Sequence, residues 1–353
     1  MPDNPTPGNH GANSYDVAVL GGGSFGTAMA KVLSENGHVV HFWMRDEAQA
    51  EEIRSTRINR RYMPAVTLQG DIQPTTDLAE AVRKAEIVLV AIPSKAFRSV
   101  IREHSSEFRD GQIVVSLTKG IEEHGFKLMS EILLEELPRC RSGVLSGPNL
   151  AGEIVNRELT ATVIAAKDPD VRRTVQELLG CEYFRVYANV DVYGVELAGA
   201  LKNIYAIVAG LASALNMGEN AKAMLITRGL AEMSRFAVSL GANPMTFMGL
   251  AGVGDLIATC TSCKSRNFRV GYAIGKGQKL EEAVQELGQV AEGIYTLKLV
   301  REKSEAIGIY MPLVRGLYEI LYESASINAV INSLMMAVQN SDVEFILPRT
   351  ITQ

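Results

Sequence analysis

Cysteine is scarce in this chain: Cys140, Cys181, Cys260 and Cys263 are the four thiols among 353 residues. So few cannot staple a chain of this length, which excludes a disulfide scaffold and points to a reducing compartment, the cytoplasm. Cys260 and Cys263 stand at C-x-x-C spacing. Neither a second ligand pair nor a thioredoxin-like strand accompanies them, so no metal is expected. A surplus of positive charge is also missing, since 35 Lys and Arg face 40 Asp and Glu for a net charge of −5. That excludes the basic field of a nucleic-acid or membrane-surface binder, and any anionic ligand must be gripped by a local group of cations. The first fifteen residues, MPDNPTPGNHGANSY, lack the apolar core of a signal peptide and are expected to form a disordered tail. The stretch 197–215 has the length of a membrane span, yet it carries Lys202 and Asn203 and is rich in small residues. A buried helix is expected there, not a span.

What is present is enough apolar material, 47% of the chain, for a sizeable core spread over two or three domains. The first half alternates near-continuous apolar runs with helical patterns. The runs are DVAVLG (16–21), HVVHFWM (38–44), EIVLVAIP (86–93), QIVVSLTKG (112–120), SGVLSG (142–147) and TATVIAA (160–166). Runs of this kind read as parallel strands buried on both faces. Helical patterns over 27–36, 78–84, 95–109 and 127–137 complete an α/β fold with an N-terminal Rossmann-type doubly wound sheet. After about position 190 the β-rich runs stop, and an all-α C-terminal domain is expected. The expected organisation is a tail (1–15), a dinucleotide-binding domain (16–190) and a helical substrate-binding and catalytic domain (191–345).

The first strand runs into G-G-G-S-F-G, residues 21–26. Between a strand and a helix this spacing marks a dinucleotide site. Gly21 permits the tight turn, Gly23 lets the backbone approach a pyrophosphate, and Gly26 allows close helix–strand packing. Phosphates then rest on the helix N-terminus. The second strand ends W-M-R-D, with Arg45 where an NAD site usually carries an acid. A guanidinium suits a 2′-phosphate, so NADP(H) is the expected preference. Asp46 follows directly, and NAD(H) stays possible.

Ligands of such sheets sit beyond the carboxyl ends of the strands. Lys119 follows one strand there, and Gly147, Asn149 and Ala151 follow another. The helical half adds Lys202-Asn203, the glycine loop G-L-A-G-V-G-D-L with Asp255, and S-C-K-S-R-N-F-R-V-G with Ser265, Arg266 and Asn267. The last three suit an oxyanion. Plainer readings stand beside these: a solvated strand end for Lys119, and a helix cap for Asp255.

G-G-G-S-F-G-T-A, S-L-T-K-G-I, S-G-P-N-L-A-G-E, V-E-L-A-G-A-L-K-N, G-L-A-G-V-G-D-L and S-R-N-F-R-V-G follow one another along the chain. Together they resemble the bacterial type of NAD(P)-dependent glycerol-3-phosphate dehydrogenase, from about Val17 to Pro312. The resemblance implies interconversion of dihydroxyacetone phosphate and sn-glycerol 3-phosphate, a supply of glycerol phosphate for phospholipids, and a homodimer. It implies dinucleotide contacts from Ser24, Phe25, Arg45 and Ala151, with Lys119 between cofactor and substrate. Gly147 and Asn149 line the substrate site, opposite Asp255, Ser265, Arg266 and Asn267; Arg266 lies near both ligands, and Val290 and Glu292 close over the cofactor. Many members have Thr or Ser followed by Phe where this chain has Asn149-Leu150, and Asn can still donate a hydrogen bond.

Lys202 is the candidate catalytic residue. Ketone reduction by hydride creates an alkoxide that a positioned acid must protonate. An ordinary lysine, with pKa near 10.4, is a poor base at neutral pH, but burial and a second cation at Lys119 lower it. The alternative, a side chain reaching water along the helix, needs polar neighbours that Ala198, Gly199, Tyr205 and Ala206 do not offer. Two other functions fit the same features less completely. One is an NADP-dependent reductase of another small hydroxy acid; the other is a non-catalytic NADP(H) sensor, which has no need of Lys202 or Asp255.

Overall fold

The structure is a computed structural model and describes residues 14–123, 125–287 and 291–336. Residues 1–13 of the expected tail and 337–345 of the expected helical domain lie outside the described residues. Ten strands follow in chain order: β1 (Asp16–Leu20), β2 (Val39–Trp43), β3 (Ile72–Thr75), β4 (Ile87–Val90), β5 (Ile113–Ser116), β6 (Ile121–Glu122), β7 (Lys127–Leu128), β8 (Arg141–Ser146), β9 (Thr160–Ala165) and β10 (Phe184–Asn189). Strands β6 and β7 form a small hairpin, and the other eight make one sheet in the order β10-β9-β8-β5-β4-β1-β2-β3. The order reverses at β1, which pairs with β2 on one side and β4 on the other. That reversal opens a crevice at the carboxyl ends, where this architecture binds ligands.

The strands alternate faces. Val17 and Val19 of β1 pack with Ala28, Met29 and Val32 of α1 (Ser24–Glu35), whereas Ala18 and Leu20 pack on the opposite side. That opposite layer comprises α3 (Leu78–Lys84), α4 (Ser94–Glu103) and α5 (Met129–Glu136); α2 (Glu47–Thr56), α6 (Ala151–Val155) and α7 (Pro169–Leu179) complete the set. One expectation is corrected: the run at 160–166 is not parallel to β8, with which β9 pairs antiparallel, although β10 pairs parallel to β9. An unbroken apolar run reports burial on both faces but not direction, which the connection sets. Here the chain leaves β8 and enters β9 at the same, ligand-facing end of the sheet, and Gly147–Val155 stay there. The helix expected over 95–109 stops at Glu103, with a separate 3₁₀ turn at Ser105–Glu107, and the one expected over 127–137 starts only at Met129.

The second part is helical: α8 (Val192–Ala214), α9 (Glu219–Ser239), α10 (Asp255–Thr261), α11 (Arg266–Gly275), α12 (Leu280–Leu287), α13 (Glu292–Ala306), α14 (Pro312–Tyr322) and α15 (Ile327–Met336). Helix α8 is long and apolar enough to span a membrane, yet its most apolar window is 89% buried inside the fold. Its small residues have a packing cause. A Cβ on Gly210 would lie 2.0 Å from the Phe268 carbonyl oxygen, and one on Gly271 would lie 1.9 Å from that of Ile207. Only glycine lets α8 and α11 approach backbone to backbone. Glu196 of α8 reaches back to the sheet half, where it accepts bonds from the N–H (3.1 Å) and hydroxyl (2.5 Å) of Ser130 at the start of α5. Burial holds that carboxyl up at about 7, against the pull of the Ser130 bonds. This contact fixes α8, and with it Lys202, against the carboxyl ends of the strands.

Candidate active site

The glycine loop lies at the strand reversal. Gly21 has φ +128, and a Cβ there would sit 2.4 Å from the Ala91 carbonyl oxygen after β4. A Cβ on Gly26 would sit 1.9 Å from the Gly21 carbonyl oxygen, which is the close helix–strand packing the spacing predicts. A Cβ on Gly23 would meet nothing within 4 Å, so the loop is open on the side where a pyrophosphate would lie. Gly23 caps α1 without a side-chain bond, and Ser24, Phe25 and Gly26 form its first turn. Unsatisfied N–H groups with the positive end of the helix fit a dinucleotide phosphate. The loop is held from behind. The Gly22 carbonyl accepts from Gln49 Nε2 (2.7 Å) and Asn59 Nδ2 (3.0 Å), and Asn59 also bonds Thr27 Oγ1 at 2.8 Å.

Arg45 is exposed just past β2. Asp46 is otherwise occupied: its Oδ1 accepts from the N–H groups of Ala48 (3.0 Å) and Gln49 (3.4 Å) as the N-cap of α2. Its second oxygen lies 3.9 Å from Arg61 Nη1.

Two lysines, one from each half, converge on one carboxylate. Lys119 Nζ donates to Asp255 Oδ2 at 2.6 Å and to the Gly147 carbonyl at 2.9 Å. Lys202 Nζ donates to Asp255 Oδ1, and to Thr259 Oγ1 at 2.6 Å. Asp255 is wholly buried and Lys202 is 7% exposed. The carboxylate therefore joins two ammonium groups and does not cap its own helix. Its placement follows from local sequence: the glycine-rich Leu250–Gly254 forms a single π turn that leads straight into α10 at Asp255, a device common at functional sites. Thr259, one turn on, gives its own proton to the Asp255 carbonyl (2.6 Å), so it can only accept from Lys202. Burial pushes the Lys202 pKa down to about 8; Asp255 pulls the other way and Lys119 adds to the lowering.

The remaining predicted residues ring this centre. Ser265 Oγ caps α11 by accepting from the Phe268 N–H at 3.3 Å, and Arg266 begins that helix, exposed, with Glu292 and Tyr62 close enough to act on its charge. Asn267 is spent partly inside the fold: it donates to Asn203 Oδ1 (3.0 Å) and accepts from the Gly293 N–H (3.1 Å), tying α8, α11 and α13 together. Glu292 bridges the halves, accepting from Ser94 Oγ at 2.9 Å, and burial pushes its carboxyl up. Ala151 opens α6 at the ligand end of the sheet. Val290 lies outside the described residues. Asn149 donates a hydrogen bond within the fold. Thr162 Oγ1 gives its proton to the Ser146 carbonyl (3.1 Å) and so accepts Asn149 Nδ2 at 2.9 Å, which turns Asn149 Oδ1, an acceptor, away from it. Sequence reasoning missed Thr259, Ser94 and Ser146. The first was legible as a hydroxyl one helical turn after Asp255; the others sit beside strand ends without a distinguishing neighbour. Cys260 is buried and Cys263 exposed, and burial raises the Cys260 thiol to about 12. Among the described residues no three His, Cys, Asp or Glu side chains are grouped to hold a metal ion.

The chain is similar to known proteins along most of its length. The family model described as NAD-dependent glycerol-3-phosphate dehydrogenase N-terminus matches residues 16–172, and its C-terminus counterpart matches residues 191–332. A glycerol-3-phosphate dehydrogenase (NAD(P)+) of Pseudomonas entomophila is 59% identical over 330 residues, covering 94% of this chain and 96% of its own. A namesake from Azotobacter vinelandii is 58% identical, covering 94% and 97%. The crystal structure of glycerol-3-phosphate dehydrogenase from Coxiella burnetii superposes with a TM-score of 0.88 at 36% identity, over 92% of this chain and 99% of that one. A ketopantoate reductase from Ralstonia eutropha, at 15% identity and a TM-score of 0.57, shares the fold alone. The chain belongs to the NAD-dependent glycerol-3-phosphate dehydrogenase family.

Proposed function

We infer that Lys202 gives and takes the proton in the reaction of this family. The chain is an NAD(P)-dependent oxidoreductase that interconverts dihydroxyacetone phosphate and sn-glycerol 3-phosphate, the glycerol phosphate of phospholipid synthesis. The observation that carries the proton assignment is the buried Lys202–Asp255–Lys119 triad at the carboxyl end of the sheet. Bound nicotinamide supplies or accepts the hydride. The protein's part is protonic and electrostatic. In the reducing direction Lys202, as ammonium, protonates the alkoxide as it forms; in the oxidising direction the neutral amine takes the hydroxyl proton. Its low pKa serves both directions near neutrality. Asp255 orients both ammonium groups, and Lys119 adds a second positive charge beside the developing oxyanion. Arg266, with Ser265 and Asn267 beside it, suits the substrate phosphate. The test is oxidation of NADPH with dihydroxyacetone phosphate, set against ketones derived from hydroxy acids and against no ketone. Turnover confined to the hydroxy-acid ketones, or none at all, overturns the reading.

We read the sheet half as the dinucleotide-binding unit and the helical second part as the substrate-binding and catalytic unit. We read the assembly as a cytoplasmic homodimer on the family resemblance and the thiol usage.

Nucleotide choice follows from β2. With Asp46 committed to its helix cap, Arg45 is the group that faces a 2′-phosphate, and NADP(H) is preferred. Arg45→Ala should raise KM for NADPH about tenfold or more, through loss of a charge-assisted contact, and change that for NADH little. Equal losses for both nucleotides would remove Arg45 from 2′-phosphate recognition.

A further inference from the structure

Two buried polar atoms at the end of β8 have no hydrogen-bond partner among the described residues: Ser146 Oγ and Asn149 Oδ1. Uncompensated burial of a hydroxyl or amide oxygen is costly, and native folds rarely tolerate it without a purpose. Both atoms belong to the turn that supplies Gly147 to Lys119, so they flank the triad without taking part in it. Ser146 lies against α8 one turn before Lys202. A Cβ built on Gly199 would sit 2.4 Å from Ser146 Oγ and 3.6 Å from Cγ and Cδ of Lys119. Glycine at this one position of α8 lets the serine hydroxyl and the lysine stem share a single recess. The chemistry of the pair is specific. Thr162 fixes the Asn149 amide so that its oxygen is the unpaired atom. The turn after β8 therefore offers an acceptor at Asn149 and a hydroxyl, donor and acceptor at once, at Ser146. Such a pair repels phosphate oxygens at Asn149 and complements an alcohol.

We propose that Ser146, with Asn149 Oδ1, is a specificity-determining residue that hydrogen-bonds the non-reacting hydroxymethyl group of the triose phosphate. The inference rests on the triose-phosphate reading above. Lys119 lies over the recess, its ammonium bonded to Gly147 and Asp255. The oxygens of a phosphorylated ketone attract that ammonium, and its movement uncovers the serine. A site built to pair a hydroxyl discriminates strongly against the analogue that lacks it, because the protein groups are then left unpaired.

The test compares dihydroxyacetone phosphate with its 1-deoxy analogue, acetol phosphate, which keeps the ketone and the phosphate. The wild type should prefer the former in kcat/KM by at least about a hundredfold. In Ser146→Ala that preference should collapse by about tenfold or more, chiefly through a lower kcat/KM for dihydroxyacetone phosphate, while NADPH affinity holds. Ser146→Cys, which keeps a weak donor of similar size, should fall between them and guards against a folding defect in the alanine variant. A wild type that treats the two ketones alike, or variants that lose both in equal proportion or neither, overturns the assignment. A wild type that reduces neither ketone overturns the triose-phosphate reading instead.

Discussion

Lys202→Met should lose at least about a hundredfold, and up to about ten-thousandfold, of its ketone turnover while keeping its fold and its NADPH affinity. Methionine matches the lysine stem in volume and adapts to the same apolar channel. The buried carboxylate is not abandoned, because Asp255 retains Lys119 at 2.6 Å. Thr259 loses a donor but still gives its proton to the Asp255 carbonyl. The glycine loop lies in the sheet half, out of contact with the change. A lysine that merely reached for water would give the reverse pattern, with normal turnover and a modest loss of stability. The pH dependence sharpens the contrast. With Lys202 lowered to about 8, wild-type ketone reduction should decline above that pH as the acid is lost, and glycerol phosphate oxidation should rise through it as the base appears. In the methionine variant both limbs near 8 should vanish from the residual rate. The measurements are kcat in both directions across pH, NADPH affinity and melting temperature on one preparation. Wild-type-like turnover would remove Lys202 from the chemistry.

Elements with one environment along their whole length were legible in the sequence. Strands β1, β4 and β5 are apolar at almost every position because helices cover both faces, and α8 is apolar all round because helices surround it. Edge elements escaped. Strand β3 reads IQPT, with a proline and only two buried residues, and α2 buries Ala50 and Ile53 alone among polar neighbours. Strand β10 carried a usable signal in the alternation of buried Phe184 and Val186 with exposed Arg185 and Tyr187. In the site, residues whose chemistry is conspicuous were legible one by one: a lysine in an apolar helix, a carboxylate after glycines, an arginine after a strand. Their relations were reached chiefly through the family resemblance, which sets Lys119 and Asp255 at the substrate site with Lys202. That Asp255 bonds both lysines depends on a π turn and on how two halves meet, which no local spacing encodes. The orientation of Asn149 likewise depends on Thr162, a residue of the neighbouring strand. Single residues announce their chemistry, whereas the bonds that join them across the sequence depend on the fold.

Asp255→Asn should damage stability and shift the pH profile together. The amide is isosteric, so packing survives, but two ammonium groups are left facing a neutral residue that is wholly buried. Breaking one partner of a buried ion pair costs roughly 3–5 kcal/mol, because the other charge stays buried without compensation. In this site Asp255 is what holds the Lys202 pKa up, against burial and against Lys119. Without the carboxylate the pKa drops below about 8, and the alkaline limb of ketone reduction should move to lower pH by the same amount. The stability sign follows from proton binding. Lys202 in the folded variant then titrates well below its unfolded value, so between those two pH values the unfolded chain binds more protons than the folded one. Stability therefore rises with pH across that window. The melting-temperature deficit of Asp255→Asn relative to the wild type should shrink between pH 6.5 and pH 8, as Lys202 of the variant sheds its charge in the fold, and should level off above that, where the wild-type lysine sheds its own. A deficit that stays the same at both pH values, with an unmoved alkaline limb, would mean that the carboxylate acts by shape and not by charge.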